Sequence, residues 1–214
     1  MILSRGRRYL FIHAPKTGGT SMALTLEARA LKDDIMLGDT PKAKRRRKRL
    51  EGVQAAGRLW KHATLRDLEG LVVPDELEQL FIFTMVRNPW DRMVSYYHWL
   101  RAQRFAHPSV TLAQTLDFGQ FIAAPLIAQS FSEAPAASYV TDAQGQLRAD
   151  LFIRLEHLAQ DLAPLEAHLG FALDLPHVNR SLRQLDYRAA YTQQTRTQVA
   201  QICAEDIARF GYEF

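Results

Sequence analysis

A short buried strand, followed by a glycine-bearing turn and a helix, is the feature that most constrains the fold of this chain. Residues 9–13 read YLFIH, a β-favouring run that stops before a proline. The turn PKTGGTS comes next, and good helix formers follow it. Glycines let a backbone approach an anion closely, and the unpaired amides at a helix start point towards it. The order strand, loop, helix therefore predicts a phosphate-binding loop.

A second strand leads into a second helix further along the chain. Residues 80–86, LFIFTMV, are apolar almost throughout, as expected of a strand covered on both faces. The turn RNPWD then opens a helix over about 91–104, with Pro89 at a favourable entry position. Residues 138–156 predict a strand, a turn and a further strand, and the rest of the second half is mostly helical. A single long helix is predicted over about 193–209. We therefore predict an α/β fold with a central, mostly parallel sheet flanked by helices.

Length and charge limit the organisation of the chain and its partners. A length of 214 residues suits a single domain over 1–214. The net charge is +4, yet seven basic residues crowd into positions 42–49, so the remaining residues are net acidic. That distribution disfavours a surface that coats nucleic acid. The segment 32–57 around this basic run is predicted to be a solvated loop or insert, or an exposed helix.

Cysteine content and hydropathy argue against several classes of site and of protein. The lone Cys203 excludes an internal disulfide and a zinc site built on several thiolates. No apolar run approaches the ~20 residues of a membrane-spanning helix. The N-terminal residues lack the apolar core of a secretory signal. We therefore expect a cytoplasmic protein with no membrane span.

The residue order in the first loop narrows its chemistry. Lys16 supplies a point charge, and Thr20 and Ser21 supply hydroxyl donors. A nucleoside-triphosphate P-loop places its lysine after the last glycine, followed by a hydroxyl that holds magnesium. Here the lysine precedes both glycines, which disfavours a Walker-type NTPase. Taken alone, the loop is also compatible with a surface turn that caps a helix.

The second turn carries a pair of phosphate-binding groups. Arg87 ends the strongest strand, and Ser95 lies eight residues later on the following helix. A guanidinium and a hydroxyl placed in this way can converge on one phosphate. The alternative for this turn alone is a helix cap without a ligand.

The two motifs together are similar to those of a known family. FIHAPKTGGTS and VRNPWDRMVSYY resemble the 5'-phosphosulfate loop and the 3'-phosphate motif of PAPS-dependent sulfotransferases, of the carbohydrate sulfotransferase family 2 type. The resemblance extends through KHAT, FIRLEHLAQDL, LPHVNRS and DIARFGYEF, and is weak over 32–57 and 105–137. It implies a P-loop-like sulfotransferase fold. It also implies transfer of a sulfuryl group from 3'-phosphoadenosine 5'-phosphosulfate (PAPS) to an acceptor hydroxyl, leaving adenosine 3',5'-bisphosphate (PAP).

The resemblance also implies a role for each motif residue. Lys16 would stabilise the leaving 5'-phosphate, and Arg87 with Ser95 would bind the 3'-phosphate. The 5'-phosphate would be cradled by Thr17, Gly18, Gly19, Thr20 and Ser21. Sulfate carries less charge than a terminal phosphate, so we expect no metal. The general base is predicted to be His62, because imidazole titrates near neutrality and the family places a catalytic residue in this region.

Several assignments remain open from the sequence. His13 is an alternative candidate for the general base. The loop residues Asn179, Arg180 and Ser181 have two interpretations: they contact the nucleotide or the acceptor, or they only stabilise a turn. The acceptor is expected to be a carbohydrate. The basic run 42–49 is either a solvated segment or one wall of a groove that attracts an anionic glycan. Binding of nucleic acid or of an acidic membrane surface is the least favoured interpretation. The alternative functions are a P-loop-like nucleotide kinase or phosphotransferase, and a non-enzymatic module that binds anionic polymers.

Overall fold

The computed structural model describes residues 1–176 and 186–214. Within these residues, five strands form one sheet in the order β3-β1-β2-β4-β5. The strands are β1 (Ile2–Ser4), β2 (Tyr9–Ile12), β3 (Ile35–Met36), β4 (Phe81–Val86) and β5 (Leu151–Arg154). The pairs β2–β4 and β4–β5 are parallel, and β1 is antiparallel to both of its neighbours. All strands except β1 therefore run in one direction, which confirms the predicted mostly parallel α/β sheet.

Twelve α-helices lie among the described residues. In chain order they are α1 (Gly19–Ala28), α2 (Pro41–Arg46), α3 (Pro74–Leu77), α4 (Pro89–Arg101), α5 (Pro108–Thr115), α6 (Phe118–Ala123), α7 (Pro125–Ser132), α8 (Ala136–Tyr139), α9 (Leu158–Asp161), α10 (Ala163–Leu169), α11 (Gln193–Ile202) and α12 (Ala204–Phe210). Short 3-10 turns lie at Arg47–Leu50, Arg66–Leu68, Leu155–His157 and Tyr187–Ala190. In the described segments, no helix combines the length and the apolar character needed to cross a membrane.

The chain divides into two compact units. The first, which we call the sheet unit, comprises residues 1–86 and the described residues from 136 to 176. The second, the helical unit, comprises residues 87–135 and 186–214. The single domain predicted over 1–214 stays a prediction.

In the sheet unit, alternate residues of β2 point to opposite faces of the sheet, as strand geometry requires. Phe11 belongs to the apolar cluster that includes α1 and α10, through residues such as Met22 and Leu165. Ile12 belongs to the opposite cluster, which includes Leu65, Leu68 and Val140. Coverage of both faces agrees with the composition of β2 and β4, which are apolar along almost their whole length.

In the helical unit, α4 is buried by the helices around it. Arg92 is 7% exposed; its guanidinium lies 3.8 Å from Asp206 and over the ring of Phe131 at 5.0 Å. Pro89 stands at the first position of α4, and the side chain of Asn88 accepts a hydrogen bond from the amide of Trp90. The predicted start of this helix at the RNPWD turn is therefore confirmed.

Two local predictions are corrected. The strand predicted before the turn at 142–145 is wrong: Ala136–Tyr139 is the short helix α8, and one isolated bridge joins Thr141 to Leu147. The carboxylate of Asp142 accepts hydrogen bonds from the amides of residues 144 and 146, which closes the turn tightly. The single helix predicted over 193–209 is interrupted at Cys203. The basic run forms α2 and a 3-10 turn, which is the exposed-helix alternative of the two that were predicted.

Candidate active site

The first predicted loop joins β2 to α1 in the sheet unit. Two of its residues have left-handed backbone: Lys16, with φ 66°, and Gly18, with φ 88°. A left-handed lysine is uncommon and is found mostly at functional sites. Gly18 precedes α1 without any side-chain cap, and the first turn of α1 contains no acidic residue. The amides at the start of this ten-residue helix are therefore arranged to receive an anion.

Packing explains why two consecutive glycines stand in this loop. A Cβ on Gly18 would lie 2.8 Å from Cδ1 of Leu155, in addition to the strain of its positive φ. A Cβ on Gly19 would lie 2.1 Å from Cδ2 of His13, well inside contact distance. The ring of His13 thus lies directly against the start of α1, and the loop conformation depends on glycine at both positions.

The hydroxyls of the loop differ in what they contact. Thr17 is 2% exposed, and its hydroxyl donates a hydrogen bond to the carbonyl of Ala14 at 2.8 Å. That hydroxyl stabilises the turn, which leaves the Thr17 amide as the group that could face a phosphate. Thr20 and Ser21 are half-buried in the first turn of α1.

His62 is held against this loop through His13. Nδ1 of His62 lies 2.7 Å from the backbone carbonyl oxygen of His13, and the two rings meet edge to face at 4.6 Å. Because a carbonyl only accepts, Nδ1 carries the proton, and Nε2 is the nitrogen that can take up another. The structure therefore brings His62 together with the loop.

Both histidines are neutral in this environment. Burial is the largest cause that lowers the pKa of His62, to about 4, and the charge of Lys61 lowers it further. Burial also lowers the pKa of His13 well below its ordinary value, and His62, Lys61 and Lys16 add to the effect. A neutral His62 with its proton on Nδ1 presents a lone pair on Nε2.

The second motif lies in the helical unit, immediately after β4. Nε and Nη2 of Arg87 donate hydrogen bonds to Oδ2 of Asp91 at 2.8 and 2.6 Å. The two side chains are 13% and 17% exposed. Asp91 and Ser95 are four residues apart on α4, so they share one helix face. Arg87, Asp91 and Ser95 are therefore brought together at one side of this helix.

Asp91 is the functional candidate that the sequence analysis missed. It lies inside the quoted motif, but no role was assigned to it. Its spacing of four residues from Arg87 is the signal that could have found it. The predicted loop residues Asn179, Arg180 and Ser181 lie outside the described residues.

The basic run 42–49 has an inward and an outward set of side chains. Three side chains donate hydrogen bonds to backbone carbonyls at and after the end of α1: Lys42 to Glu27, Arg46 to Leu31 and Arg49 to Lys32. The outward set is exposed and comprises Lys44, Arg45, Arg47 and Lys48. The inward set stabilises the C-terminal end of α1.

Across 1–176 and 186–214, no three His, Cys, Asp or Glu side chains are grouped so that they could hold a metal ion. The expectation of metal-independent chemistry stays a prediction.

Comparison with known proteins identifies the family of the chain. The sequence matches the model of the family described as "Sulfotransferase family" over residues 1–213. A search of solved structures finds similarity to mouse sulfotransferase SULT7A1 complexed with PAP, with a TM-score of 0.48 and 16% identity. That match covers 96% of this chain and 85% of the mouse chain. No curated protein matched the sequence.

Proposed function

Since the chain belongs to the sulfotransferase family, we propose that it transfers the sulfuryl group of PAPS to a carbohydrate hydroxyl without a metal ion. The observation that carries this proposal is the helix start at Gly19, which has no acidic residue in its first turn and lies against the His13–His62 pair. This arrangement combines an anion-binding backbone with a neutral imidazole. Donor binding and proton removal are the two tasks that sulfuryl transfer requires.

The loop is the proposed site of the 5'-phosphosulfate. Amides at the start of α1 would bind the 5'-phosphate, with the hydroxyls of Thr20 and Ser21 beside them. As the bond between sulfur and the bridging oxygen breaks, negative charge grows on the departing phosphate. Lys16 would stabilise that charge, which favours the transition state over the bound donor.

The 3'-phosphate is proposed to bind Arg87 and Ser95. The hydrogen bonds from Arg87 to Asp91 hold the guanidinium beside the helix face that carries Ser95. Asp91 would thus be a positioning residue, which fixes the cation without touching the nucleotide. The 3'-phosphate is the group that distinguishes PAPS from ATP, so these residues would set donor selectivity.

His62 is proposed as the general base. Its Nε2 would accept the proton of the acceptor hydroxyl while the acceptor oxygen bonds to sulfur and the phosphate leaves as PAP. A base with a pKa of about 4 is weak, but the negative charge of a bound phosphosulfate favours the imidazolium and raises that pKa. Donor binding would therefore activate the base.

The acceptor is proposed to be an anionic glycan, guided by the outward set Lys44, Arg45, Arg47 and Lys48. The side chains of these four exposed residues make no hydrogen bond or ion pair with other described residues. Clustered charge of one sign raises the local concentration of an oppositely charged partner. Nucleic acid is not the proposed partner, and a cytoplasmic location stays a prediction.

One calorimetric titration tests the donor site. PAP should bind tightly in the presence of a metal chelator, whereas ADP should bind at least about tenfold more weakly, because only PAP offers a 3'-phosphate to Arg87. Arg87→Ala should bring the two affinities together. Equal binding of PAP and ADP by the unaltered protein would refute the donor assignment, and a requirement for magnesium would favour a kinase.

A second experiment tests the base. His62→Ala should lower kcat by about a hundredfold while the affinity for PAP stays within twofold, since proton removal contributes on this scale. His13→Ala is the matched comparison, because it leaves the carbonyl that holds Nδ1 in place. Near-normal kcat in His62→Ala would exclude His62 as the base, and a larger loss in His13→Ala would transfer the role to His13.

A further inference from the structure

Trp60 is a large apolar side chain that stays exposed beside the proposed base. It is 38% exposed, and its ring centroid lies 5.1 Å from that of His62, with the two planes nearly perpendicular at 88°. Phe105 is also exposed, at 48%, but its ring neighbours are Trp99 and His107. Trp60 therefore differs from Phe105 because it lies next to a candidate catalytic group.

The position of the base determines where an acceptor must lie. A hydroxyl that gives its proton to His62 has to come within about 2.6–3.2 Å of the accepting nitrogen. Nδ1 is occupied by the carbonyl of His13 at 2.7 Å, so the hydroxyl has to approach Nε2. Because the ring centroids of Trp60 and His62 are only 5.1 Å apart, the carbon skeleton that bears this hydroxyl would lie near Trp60.

The guanidinium of Arg58 lies over one face of the Trp60 ring, which leaves the opposite face for a ligand. Cζ of Arg58 lies 5.1 Å from the centroid of the indole ring. Arg58 is exposed and, within the described chain, has no carboxylate partner, whereas the neighbouring Lys61 is paired with Asp39 at 2.5 Å. Arg58 is thus the cation of this stretch that is available to an acidic group on an incoming molecule.

We propose that Trp60 and Arg58 form the acceptor subsite, in which a pyranose ring packs on the indole and a carboxylate or sulfate of the same saccharide binds the guanidinium. The C–H bonds of a sugar ring suit the broad, electron-rich face of an indole, and a guanidinium forms paired hydrogen bonds with carboxylate or sulfate. The inference rests on the proposed function through the role of His62. It goes further by naming the groups that select the acceptor.

Calorimetry with PAP-saturated protein tests the subsite directly. The probes are a hexasaccharide of alternating glucuronic acid and N-acetylglucosamine and the same hexasaccharide with its carboxylates reduced to alcohols. Trp60→Ala should weaken binding of both probes about tenfold, and Trp60→Phe less than about threefold, because an aromatic face is what is lost. Arg58→Ala should weaken only the acidic probe, about fivefold.

Controls separate a lost subsite from a damaged fold. The affinity for PAP should stay within twofold in every variant, and Phe105→Ala, which removes an exposed aromatic ring in the helical unit, should leave saccharide binding unchanged. p-Nitrophenol is titrated in parallel as an aromatic acceptor.

Several outcomes of these titrations would overturn the proposed acceptor subsite. Failure of the unaltered protein to bind either saccharide overturns the subsite, as does unchanged saccharide binding in Trp60→Ala or Trp60-dependent binding of p-nitrophenol alone. Equal weakening of both probes by Arg58→Ala overturns the role given to Arg58. If PAP itself does not bind, the donor proposal fails separately, and the saccharides are titrated on the protein alone with the same criteria.

Discussion

The two candidate phosphate sites follow parallel strands, yet they are built from different parts of the chain. After β2, the loop consists mainly of backbone: amides at a helix start, left-handed residues, and glycines under His13 and Leu155. After β4, the motif consists of side chains, with a guanidinium held by a carboxylate on the face that carries Ser95. A backbone site tolerates little added volume, whereas a side-chain site can be weakened one group at a time.

The largest effect is expected from removal of Lys16, the one cationic side chain in the loop after β2. Lys16→Ala should lower kcat about a hundredfold or more, because donors aimed at a developing anion contribute on this scale. The affinity for PAP should change far less than kcat, which steady-state kinetics and calorimetry measure separately. Lys32→Ala, which removes a lysine on the surface after α1, serves as control. A kcat within threefold of normal in Lys16→Ala would remove this lysine from the mechanism.

The next effect tests whether the loop depends on its backbone geometry. Gly19→Ala places a Cβ into the ring of His13, so we expect a loss of about 1–3 kcal/mol in the free energy of unfolding and a loss of PAP affinity. Gly145→Ala is the control, since a Cβ there meets nothing within 4 Å. The double variant His13→Ala, Gly19→Ala should recover PAP binding in part. If Gly19→Ala alone binds PAP normally, the loop is less constrained than the packing indicates.

A smaller effect is expected on the side-chain site. Asp91→Asn should weaken PAP binding about fivefold by releasing Arg87, while AMP, which lacks the 3'-phosphate, should bind as before. Glu205→Gln, which breaks the exposed pair with Arg209 on α12, is the matched control. Tighter binding of PAP by Asp91→Asn would mean that the carboxylate repels the phosphate more than it positions the guanidinium.

A last prediction concerns pH, which acts on the loop side through the buried imidazole of His62. The pKa of His62 falls from 6.5 to about 4 on folding, so the unfolded chain takes up a proton at higher pH than the native protein does. Stability contributed by the neutral imidazole is therefore complete above pH 6.5 and decreases as the pH falls towards 4. Denaturant unfolding at several pH values should show this decrease, and His62→Asn should reduce it. A slope unchanged in His62→Asn would contradict the burial of a neutral imidazole.

The parts of the fold that were predictable are those with strong local patterns. Apolar runs marked β2 and β4, and the α/β class and the family followed from the two turns after them. β1 and β3 were missed, since three and two residues are too short to show a period. The helix at Ala136–Tyr139 was mistaken for a strand because the turn at Asp142 resembles a hairpin.

The candidate site was predictable in its residue types rather than in its contacts. Glycine spacing identified the loop, but it does not show that Gly19 packs on the ring of His13. The hydrogen bond from His62 to the carbonyl of His13 joins residues 49 positions apart, which no local pattern can indicate. Trp60 matters through its contact with His62, which no local pattern records, whereas the spacing of four residues between Arg87 and Asp91 is a local signal. The roles of Lys16, His62, Arg87 and Ser95 stay predictions until the variants are measured.

The division of the basic run into inward and outward sets determines how ionic strength should act on this protein. Three of its cations already have backbone carbonyls as partners, so a polyanion in solution meets the other four. The logarithm of a glycan association constant should therefore fall with the logarithm of salt concentration as expected for about four displaced counterions, not seven. Replacing all seven cations with neutral residues would also remove the hydrogen bonds that stabilise the C-terminal end of α1. The measured change in glycan binding would then combine lost charge with lost structure.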